Sequence, residues 1–287
     1  MIEYNPQEEN LSLRQAFKSA VDFLKLKGIE NAEYDARELL IKAFDISKNG
    51  YFMKQNEICN ANDLNTFHDY INKRGRRIPL QLITKEAWFY GRCFYVDGNV
   101  LIPRGDTEIL IEEALKYTED GMDVLDMCTG SGCIIITLAK EKNIRAAGVD
   151  VSDKALSIAK KNAMQLKVDC EFIKSDIFEN VYSKYDMIVS NPPYIRTEEI
   201  ESLQMEVKDY DPMIALDGGE DGLNFYRRII KEAGDYLKEN GRLIFEIGFD
   251  EAKAVSELLS ENGFDNINIV KDLSGFDRVV SAQRITE

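Results

Sequence analysis

The sequence predicts an α/β protein with a mostly parallel sheet covered by helices on both faces, preceded by a smaller helical segment. Three observations lead to this class. Strand and helix patterns alternate from residue 104 onward, residues 1–74 show only helical spacing, and residues 75–103 are rich in aromatic and β-branched side chains. A chain of 287 residues is long enough for a core of ordinary size plus a smaller domain.

The N-terminal 74 residues are predicted to form a small helical bundle. Apolar residues between positions 11 and 24 follow helical spacing, and Gly28 provides a stop signal. A second helix is expected at residues 31–44, and a third begins where Asn62 or Asp63 can serve as the N-cap. No residue pattern in this bundle points to chemistry.

A β-hairpin is predicted at residues 75–103, because aromatic runs there alternate with Gly91 and with an Asp97-Gly98 turn. The chain is therefore divided into a helical domain at 1–74, a hairpin linker at 75–103 and an α/β domain at 104–287. In the last of these, strands are predicted at 122–127, 145–150, 170–175, 185–190, 242–247, 266–271 and 277–283. Helices are predicted at 106–118, 132–142, 153–166, 222–239 and 250–262.

Composition and charge restrict the possible functions. The chain is 44% hydrophobic and 30% charged, which is typical of soluble globular proteins, and no apolar run reaches the length of a membrane span. The N-terminus lacks the pattern of a secretion signal, so we expect a cytoplasmic protein that does not enter a membrane. A net charge of −15 argues against broad binding of duplex DNA.

Four basic residues form the one basic cluster in the sequence: Lys73, Arg74, Arg76 and Arg77. A solvated helix end is the favoured interpretation, and a contact with RNA or with a charged partner is the alternative. His68 is the only histidine, which excludes His-based triads and argues against catalytic zinc. The five cysteines include no CxxC pair and are expected to be reduced.

A glycine turn follows the first predicted strand of the α/β domain. The strand ends at Asp126, and the turn contains Gly130 and Gly132 before a helix begins. Glycines at such a place let the backbone approach a ligand closely. A single GxG is a weak signal, and the third glycine of the dinucleotide fingerprint is missing, which disfavours a nicotinamide cofactor.

Polar side chains stand at the ends of four successive strands: Asp126, Asp150, Asp176 and Asn191. Asp150 is placed to accept hydrogen bonds from ribose hydroxyls, and Asp176 to accept one from an adenine amino group, with Ile177 or Phe178 packing on the ring. A carboxylate lining disfavours phosphate, so S-adenosylmethionine, with its ribose, adenine and cationic sulfonium, fits this pattern. A carboxylate site for Mg²⁺ is the alternative, but it leaves the glycine turn unexplained.

The strand at 185–190 ends in Asn191-Pro192-Pro193-Tyr194. The two prolines fix φ and remove two backbone donors, so this loop offers hydrogen-bond acceptors beside an aromatic wall. Such a site suits a planar NH2 group, either an amide or a nucleobase amine.

Several motifs follow one another along nearly the whole chain: PLQLIT at 79–84, VLIPR at 100–104 with DTE at 106–108, DMCTGSG at 126–132, SNPPYI at 190–195, GGEDGL at 218–223, EIG at 246–248 and KDLSGFDR at 271–278. In this order they resemble the protein-(glutamine-N5) methyltransferases that modify peptide chain release factors. Adenine-N6 DNA methyltransferases share the Asn-Pro-Pro-Tyr motif alone. Gly105, Lys85 and Glu251 depart from the family pattern, where Pro, Gly and Gln are usual.

The resemblance implies a seven-stranded, Rossmann-like class I methyltransferase domain behind a helical substrate-recognition domain and a β-hairpin linker. It implies S-adenosylmethionine as methyl donor and the glutamine of the Gly-Gly-Gln loop of release factors as substrate. The residues expected to bind the cofactor are Asp126, Cys128, Thr129, Gly130, Ser131, Gly132, Asp150, Val151, Asp176, Ile177 and Asn191. Those expected to bind the substrate are Asn191, Pro192, Pro193 and Tyr194, with Asn191, Pro192 and Tyr194 as the catalytic set and no metal.

The hypothesis for the reaction is that Asn191 and the Pro192 carbonyl accept both N–H bonds of the substrate amide while Tyr194 packs against the glutamine. We expect a monomer that binds release factors and not DNA. A glutamine of a ribosomal protein remains an alternative substrate, and adenine-N6 of DNA a more remote one. A non-catalytic cofactor-binding module is disfavoured by the intact Asn191 loop.

Overall fold

The computed structural model describes residues 3, 4 and 10–284. The chain divides into two compact units between Lys85 and Glu86, inside the segment predicted as a linker. In the described part of the chain, no helix is long and apolar enough to cross a membrane.

The first unit is helical. Its helices are α1 (Leu13–Leu26), α2 (Ala32–Ala43), α3 (Lys48–Lys54), α4 (Ala61–Gly75) and α5 (Leu80–Thr84). The predicted helices correspond to α1, α2 and α4, whose apolar faces share one core. The seven residues of α3 and the five of α5 are too short to display a helical period, so the sequence pattern did not reveal them.

The N-cap of α4 is Asn60, and the prediction of Asn62 or Asp63 is wrong. Asn60 has the extended backbone that an N-cap requires, with φ −73° and ψ 149°. Its side chain accepts a hydrogen bond from the Asp63 N–H at 2.9 Å. Asn62 and Asp63 therefore lie inside the first helical turn.

The basic cluster at the end of α4 is tied into its own unit. Arg74 is buried, and its guanidinium binds the Asp35 carboxylate at 2.6 Å. Arg77 donates to the Gly28 carbonyl at 2.9 Å, and Lys73 and Arg76 pair with acidic side chains at the surface. These contacts account for the cluster as part of the fold, so it is not simply a solvated helix end.

The second unit begins with the hairpin of β1 (Glu86–Phe89) and β2 (Arg92–Tyr95), which turns at Tyr90-Gly91. Alternating elements follow: α6 (Thr107–Leu115), β3 (Asp123–Met127), α7 (Cys133–Glu141), β4 (Arg145–Asp150), α8 (Asp153–Leu166), β5 (Glu171–Lys174), β6 (Tyr185–Ser190), β7 (Ile195–Arg196), α9 (Met205–Lys208), β8 (Asp217–Gly219), α10 (Asn224–Tyr236), β9 (Leu237–Glu246), α11 (Ala252–Glu261), β10 (Phe264–Lys271) and β11 (Asp277–Arg284). The seven strands predicted for the main sheet are confirmed; the small β7–β8 pair was not predicted.

The main sheet has the order β10-β11-β9-β6-β3-β4-β5. Its strands β9, β6, β3, β4 and β5 run parallel, whereas β11 is antiparallel to both of its neighbours. Alternate residues face opposite sides: Leu125 and Met127 pack with α10 and α11, while Val124 packs with α6 and α7. The predicted fold, a mostly parallel sheet between two layers of helices, is confirmed.

The direction of chain progression across the sheet reverses between β3 and β6. From β3 the chain moves outward to β4 and β5, and it then returns to form β6 on the other side of β3. Open α/β sheets bind ligands at the carboxyl ends of the strands beside such a reversal, because the loops there diverge and leave a crevice. The ends of β3, β4 and β6 are therefore the place to look for a site.

Candidate active site

A cleft opens at this place in the second unit. Its empty volume is about 930 Å³, open space at the mouth included. Residues at the ends of β3, β4, β5 and β6 line it, together with residues from the segments 99–104 and 212–215.

The turn between β3 and α7 brings backbone to the cleft. Cys128, Gly130 and Gly132 all have positive φ, at 61°, 54° and 79°. A Cβ on Gly130 would meet no atom within 4 Å, whereas one on Gly132 would lie 2.9 Å from the Ile136 side chain and 3.2 Å from Ala159. Gly130 thus leaves open space, and Gly132 permits close packing of α7 against α8.

Four predicted residues of this turn line the cleft, namely Cys128, Thr129, Gly130 and Ser131, and Gly132 does not. The Thr129 N–H donates to the Val149 carbonyl at 2.8 Å, which ties the turn to β4. Burial raises the pKa of the Cys128 thiol, so this cysteine stays protonated at neutral pH and serves as a small apolar wall.

Asp126 lies behind the turn and not on the cleft surface. Its side chain is fully buried, and Oδ2 accepts a hydrogen bond from the Thr129 hydroxyl at 2.5 Å. Burial raises the pKa of Asp126 to about 7; the bond from Thr129 opposes this shift, and the charge of Asp150 adds to it. In this geometry Asp126 supports the turn and does not reach the cleft surface, where direct contact with a cofactor was predicted.

Asp150, at the end of β4, lines the cleft beside Val151. Its two oxygens accept hydrogen bonds from the Gly130 and Ser152 N–H groups, both at 2.9 Å. A carboxylate has about four acceptor positions, so Asp150 can accept further bonds from a diol. Burial raises its pKa, and the backbone hydrogen bonds oppose that shift.

Asp176 and Ile177 follow β5 and also line the cleft. Asp176 forms an ion pair with Arg228 at 2.9 Å between half-exposed side chains, a partner that the sequence did not indicate. Ile177 is buried with φ 53°, an unusual conformation for a β-branched residue, and it presents an apolar surface. In the described residues no three His, Cys, Asp or Glu side chains converge into a group that could hold a metal.

The Asn-Pro-Pro-Tyr loop follows β6, and only part of it reaches the cleft. Asn191 and Pro193 line it, whereas Pro192 is buried and Tyr194 lies outside the lining. Asn191 Nδ2 donates to Thr107 Oγ1 at 3.3 Å, an amide orientation that follows from the hydrogen-bond network. With its NH2 engaged, Asn191 has its Oδ1 available as an acceptor.

Tyr194 points into the protein. Its hydroxyl donates to Glu246 Oε1 at 3.2 Å, at the end of β9. Burial and the Glu246 carboxylate raise the pKa of Tyr194, so the phenol stays neutral. The hydroxyl is thus bound in the interior, and the packing of Tyr194 against a substrate glutamine stays a prediction.

No chemical role was predicted for the part of the lining that residues 99–104 contribute. Arg104 and Thr107 line the cleft, and Arg104 forms an ion pair with the buried Asp211 at 2.5 Å. Asp211 also accepts a long hydrogen bond, 3.5 Å, from the Ile102 N–H. The VLIPR and DTE motifs were the only sign in the sequence that this segment belongs to the site. They are part of the family resemblance, but neither their composition nor their spacing suggests chemistry.

Comparisons with known proteins agree with this geometry. Residues 105–208 match the family model described as Methyltransferase small domain, and residues 15–84 match the PrmC N-terminal domain. The chain is 40% identical to a release factor glutamine methyltransferase of Fusobacterium nucleatum, over 97% of this chain and 80% of the relative. It is also 40% identical to one of Clostridium acetobutylicum, over 96% and 99% respectively. A methyltransferase structure from Pyrococcus furiosus, 15% identical, shares the fold with a TM-score of 0.53 over 69% of this chain and 91% of that one.

Proposed function

The chain belongs to the release factor glutamine methyltransferases, and from this premise we propose that it transfers a methyl group from S-adenosylmethionine to the side-chain amide nitrogen (N5) of the glutamine in the Gly-Gly-Gln loop of release factors. The observation that carries the proposal is the orientation of Asn191. Its NH2 group is bound by Thr107, and its oxygen remains as an acceptor at the cleft wall. An acceptor is the group needed to bind the NH2 of a substrate amide.

The residues of the cleft fit the methyl donor. Asp150 has acceptor capacity for a ribose diol, and open space beside Gly130 leaves room for a ligand against the backbone. Ile177 offers an apolar surface for a base. The cationic side chain in the lining, Arg104, is paired with Asp211, so the cleft does not suit a phosphate-rich ligand. When bound, the donor supplies an electrophilic methyl group on a sulfonium.

The residues near Asn191 act by orienting a poor nucleophile. An amide nitrogen is weakly nucleophilic because its lone pair is delocalised into the carbonyl. Asn191 Oδ1 lines the cleft and accepts one of its N–H bonds, and the Pro192 carbonyl, which lies outside the cleft lining, is proposed to accept the other. Together they fix the amide plane and stabilise the positive charge that develops on nitrogen. A C–N bond forms as the C–S bond breaks, and the nitrogen then loses a proton to water. This proton is strongly acidic once the methyl group is attached, so no histidine base is required.

Release factors are the proposed partners, and the names of the full-length relatives support this choice over a ribosomal protein. The net charge of −15 disfavours duplex DNA, for which base flipping requires a basic cleft. Because release factors act on cytoplasmic ribosomes, we propose that the protein works in the cytoplasm, and we expect it to be a monomer. The predicted domain bounds of 1–74, 75–103 and 104–287 stay part of this proposal. The helical domain is proposed to bind the body of the release factor.

The experiment is tritium transfer from labelled S-adenosylmethionine to a purified release factor. A release factor with Gln→Ala in its Gly-Gly-Gln loop is the control, and ribosomal proteins and DNA are assayed in parallel. We expect label on the unmodified release factor alone. Label on a ribosomal protein or on DNA, with none on the release factor, would contradict the proposed substrate and leave the cofactor assignment standing.

A further inference from the structure

Behind Asn191 lies a buried carboxylate that the reaction proposed above does not use. Glu246, the last residue of β9, is 2% exposed. Tyr194 donates to its Oε1 at 3.2 Å, while Oε2 is buried without a partner that meets hydrogen-bond geometry among the described residues. An ionised oxygen in such a place costs free energy unless a donor is close by.

Thr107 is the nearby residue whose hydroxyl proton has no acceptor of ordinary hydrogen-bond geometry among the described residues, and it influences the pKa of Glu246. It is 3% exposed, so its hydroxyl proton cannot be directed to bulk water. Its oxygen accepts the bond from Asn191 Nδ2 at 3.3 Å, so its proton must point elsewhere. Hydrogen bonding from Thr107 is the strongest influence opposing the rise in the Glu246 pKa that burial causes. The structure thus leaves a buried hydroxyl proton on Thr107 and a buried acceptor, Glu246 Oε2, that no hydrogen bond of ordinary geometry joins among the described residues.

We propose that Glu246 is a positioning residue, whose ionised carboxylate holds the Thr107 proton so that the Thr107 oxygen accepts from Asn191 and Asn191 presents Oδ1 to the substrate. This inference rests on the proposed function, because it explains how Asn191 is kept as an acceptor. Protonation of Glu246 would reverse the chain: the acid would donate to Thr107, and Thr107 would donate to Asn191. Asn191 would then turn its NH2 group toward the NH2 of the substrate, and two donors cannot bind each other.

The pKa of Glu246 lies close to neutral pH. Burial raises its pKa to about 7. Thr107, the positive charge of Arg278 and the Tyr194 hydroxyl lower it, whereas the negative charge of Asp106 raises it. Other titratable groups that sense its charge are Tyr226 of α10 and Cys133 of α7. The orientation of Asn191 is therefore expected to depend on pH near neutrality.

The kinetic test compares Thr107→Val, which removes the hydroxyl at similar volume, with Thr107→Ser, which keeps it. With a release factor as substrate, we expect kcat to fall about 10- to 100-fold in Thr107→Val and to stay within about threefold of the parent in Thr107→Ser. The affinity for S-adenosylmethionine should change in neither variant. The kcat of the unmodified protein should fall about tenfold for each pH unit below pH 7, and Glu246→Gln should lower kcat and remove this acid limb.

A second measurement does not depend on activity. The side-chain NH2 of Asn191 is observed by 15N NMR in asparagine-labelled protein and assigned by its absence in Asn191→Ser. We expect its signals to titrate with a midpoint near pH 7, to lose this titration in Glu246→Gln, and to exchange faster with water in Thr107→Val than in Thr107→Ser. An Asn191 signal that is indifferent to pH and to both variants would overturn the relay. If no release factor is methylated, the proposed function fails and this measurement still decides the relay.

Discussion

The two walls of the cleft are built in different ways. The wall of the β3–α7 turn and β4 is held by hydrogen bonds over short sequence distances: Thr129 to Asp126 spans three residues, and Gly130 to Asp150 spans 20. The wall around Asn191 depends on contacts over 84 residues, to Thr107, and over 52, from Tyr194 to Glu246. The first wall uses carboxylates that accept from backbone N–H groups and from the Thr129 hydroxyl, whereas the second wall uses hydrogen-bonded side chains beside the buried Glu246. We therefore expect mutations in the two walls to separate cofactor affinity from turnover.

The largest effect should come from the second wall. In Asn191→Ala, kcat for release factor methylation should fall about 10³-fold, because a preorganised acceptor at the reacting nitrogen is lost. The affinity for S-adenosylmethionine, measured by calorimetry, should remain within about threefold because Asp150 and the glycine turn are untouched. An equal loss of affinity and turnover would show that Asn191 belongs to both walls.

A smaller effect is expected in the first wall. Asp150→Ala should weaken S-adenosylmethionine binding about 10- to 100-fold, because hydrogen bonds to a charged group are lost and the Gly130 N–H loses its acceptor. Asp153→Ala, three residues further along on an exposed surface pair with Lys174, is the matched control and should bind normally. Unchanged affinity in Asp150→Ala would remove this residue from the cofactor wall.

The packing of the first wall is tested by Gly132→Ala. We expect a loss of about 1–3 kcal/mol in the free energy of unfolding by urea, because a Cβ meets Ile136 and Ala159 in a backbone with φ 79°. Gly263→Ala has the same kind of backbone, φ 78°, with no atom within 4 Å, so it isolates the cost of conformation alone. Equal losses in both variants would show that close packing at Gly132 contributes nothing.

The smallest effect concerns a second buried acid near the Asn191 loop. Burial raises the pKa of Glu251 to about 7, and its Oε2 accepts from the Gly248 N–H at 2.8 Å. A carboxyl whose pKa is raised on folding gives stability at low pH that is lost as the pH rises from about 4.5, its value in unfolded chains, to about 7. Glu251→Gln should therefore raise the free energy of unfolding at pH 8, relative to that at pH 4, by roughly 1–3 kcal/mol compared with the parent.

The control for that comparison is Glu232→Gln, at an exposed position of α10. Urea unfolding of both variants at pH 4 and pH 8 gives the difference directly. If Glu251→Gln and Glu232→Gln shift the free energy of unfolding equally at both pH values, burial of the Glu251 carboxyl does not raise its pKa as inferred.

Patterns over a few neighbouring residues predicted the strands and the residues at their ends. The seven main strands follow from short apolar runs, and the cluster of Asp150, Asp176 and Asn191 follows because parallel strands end at the same edge. The sequence did not reveal that Asp126 faces inward, since a residue at the end of a strand can support a turn as well as contact a ligand. Nor could it bring Thr107 and Glu246 to Asn191, because contacts over such distances depend on how layers stack and not on any period along the chain.

The long-range ties of the second wall have a consequence for folding order. Loop-closure entropy must be overcome before distant contacts form, so pairings of high contact order appear late on average. The pair of Arg104 and Asp211, separated by 107 residues, and the Tyr194–Glu246 bond both belong to this group. The β3–α7 turn can take shape earlier, from a much shorter stretch of chain. A nascent or partly unfolded molecule is thus expected to bind the methyl donor before it can orient a glutamine. Such partly folded molecules would bind S-adenosylmethionine without transferring its methyl group.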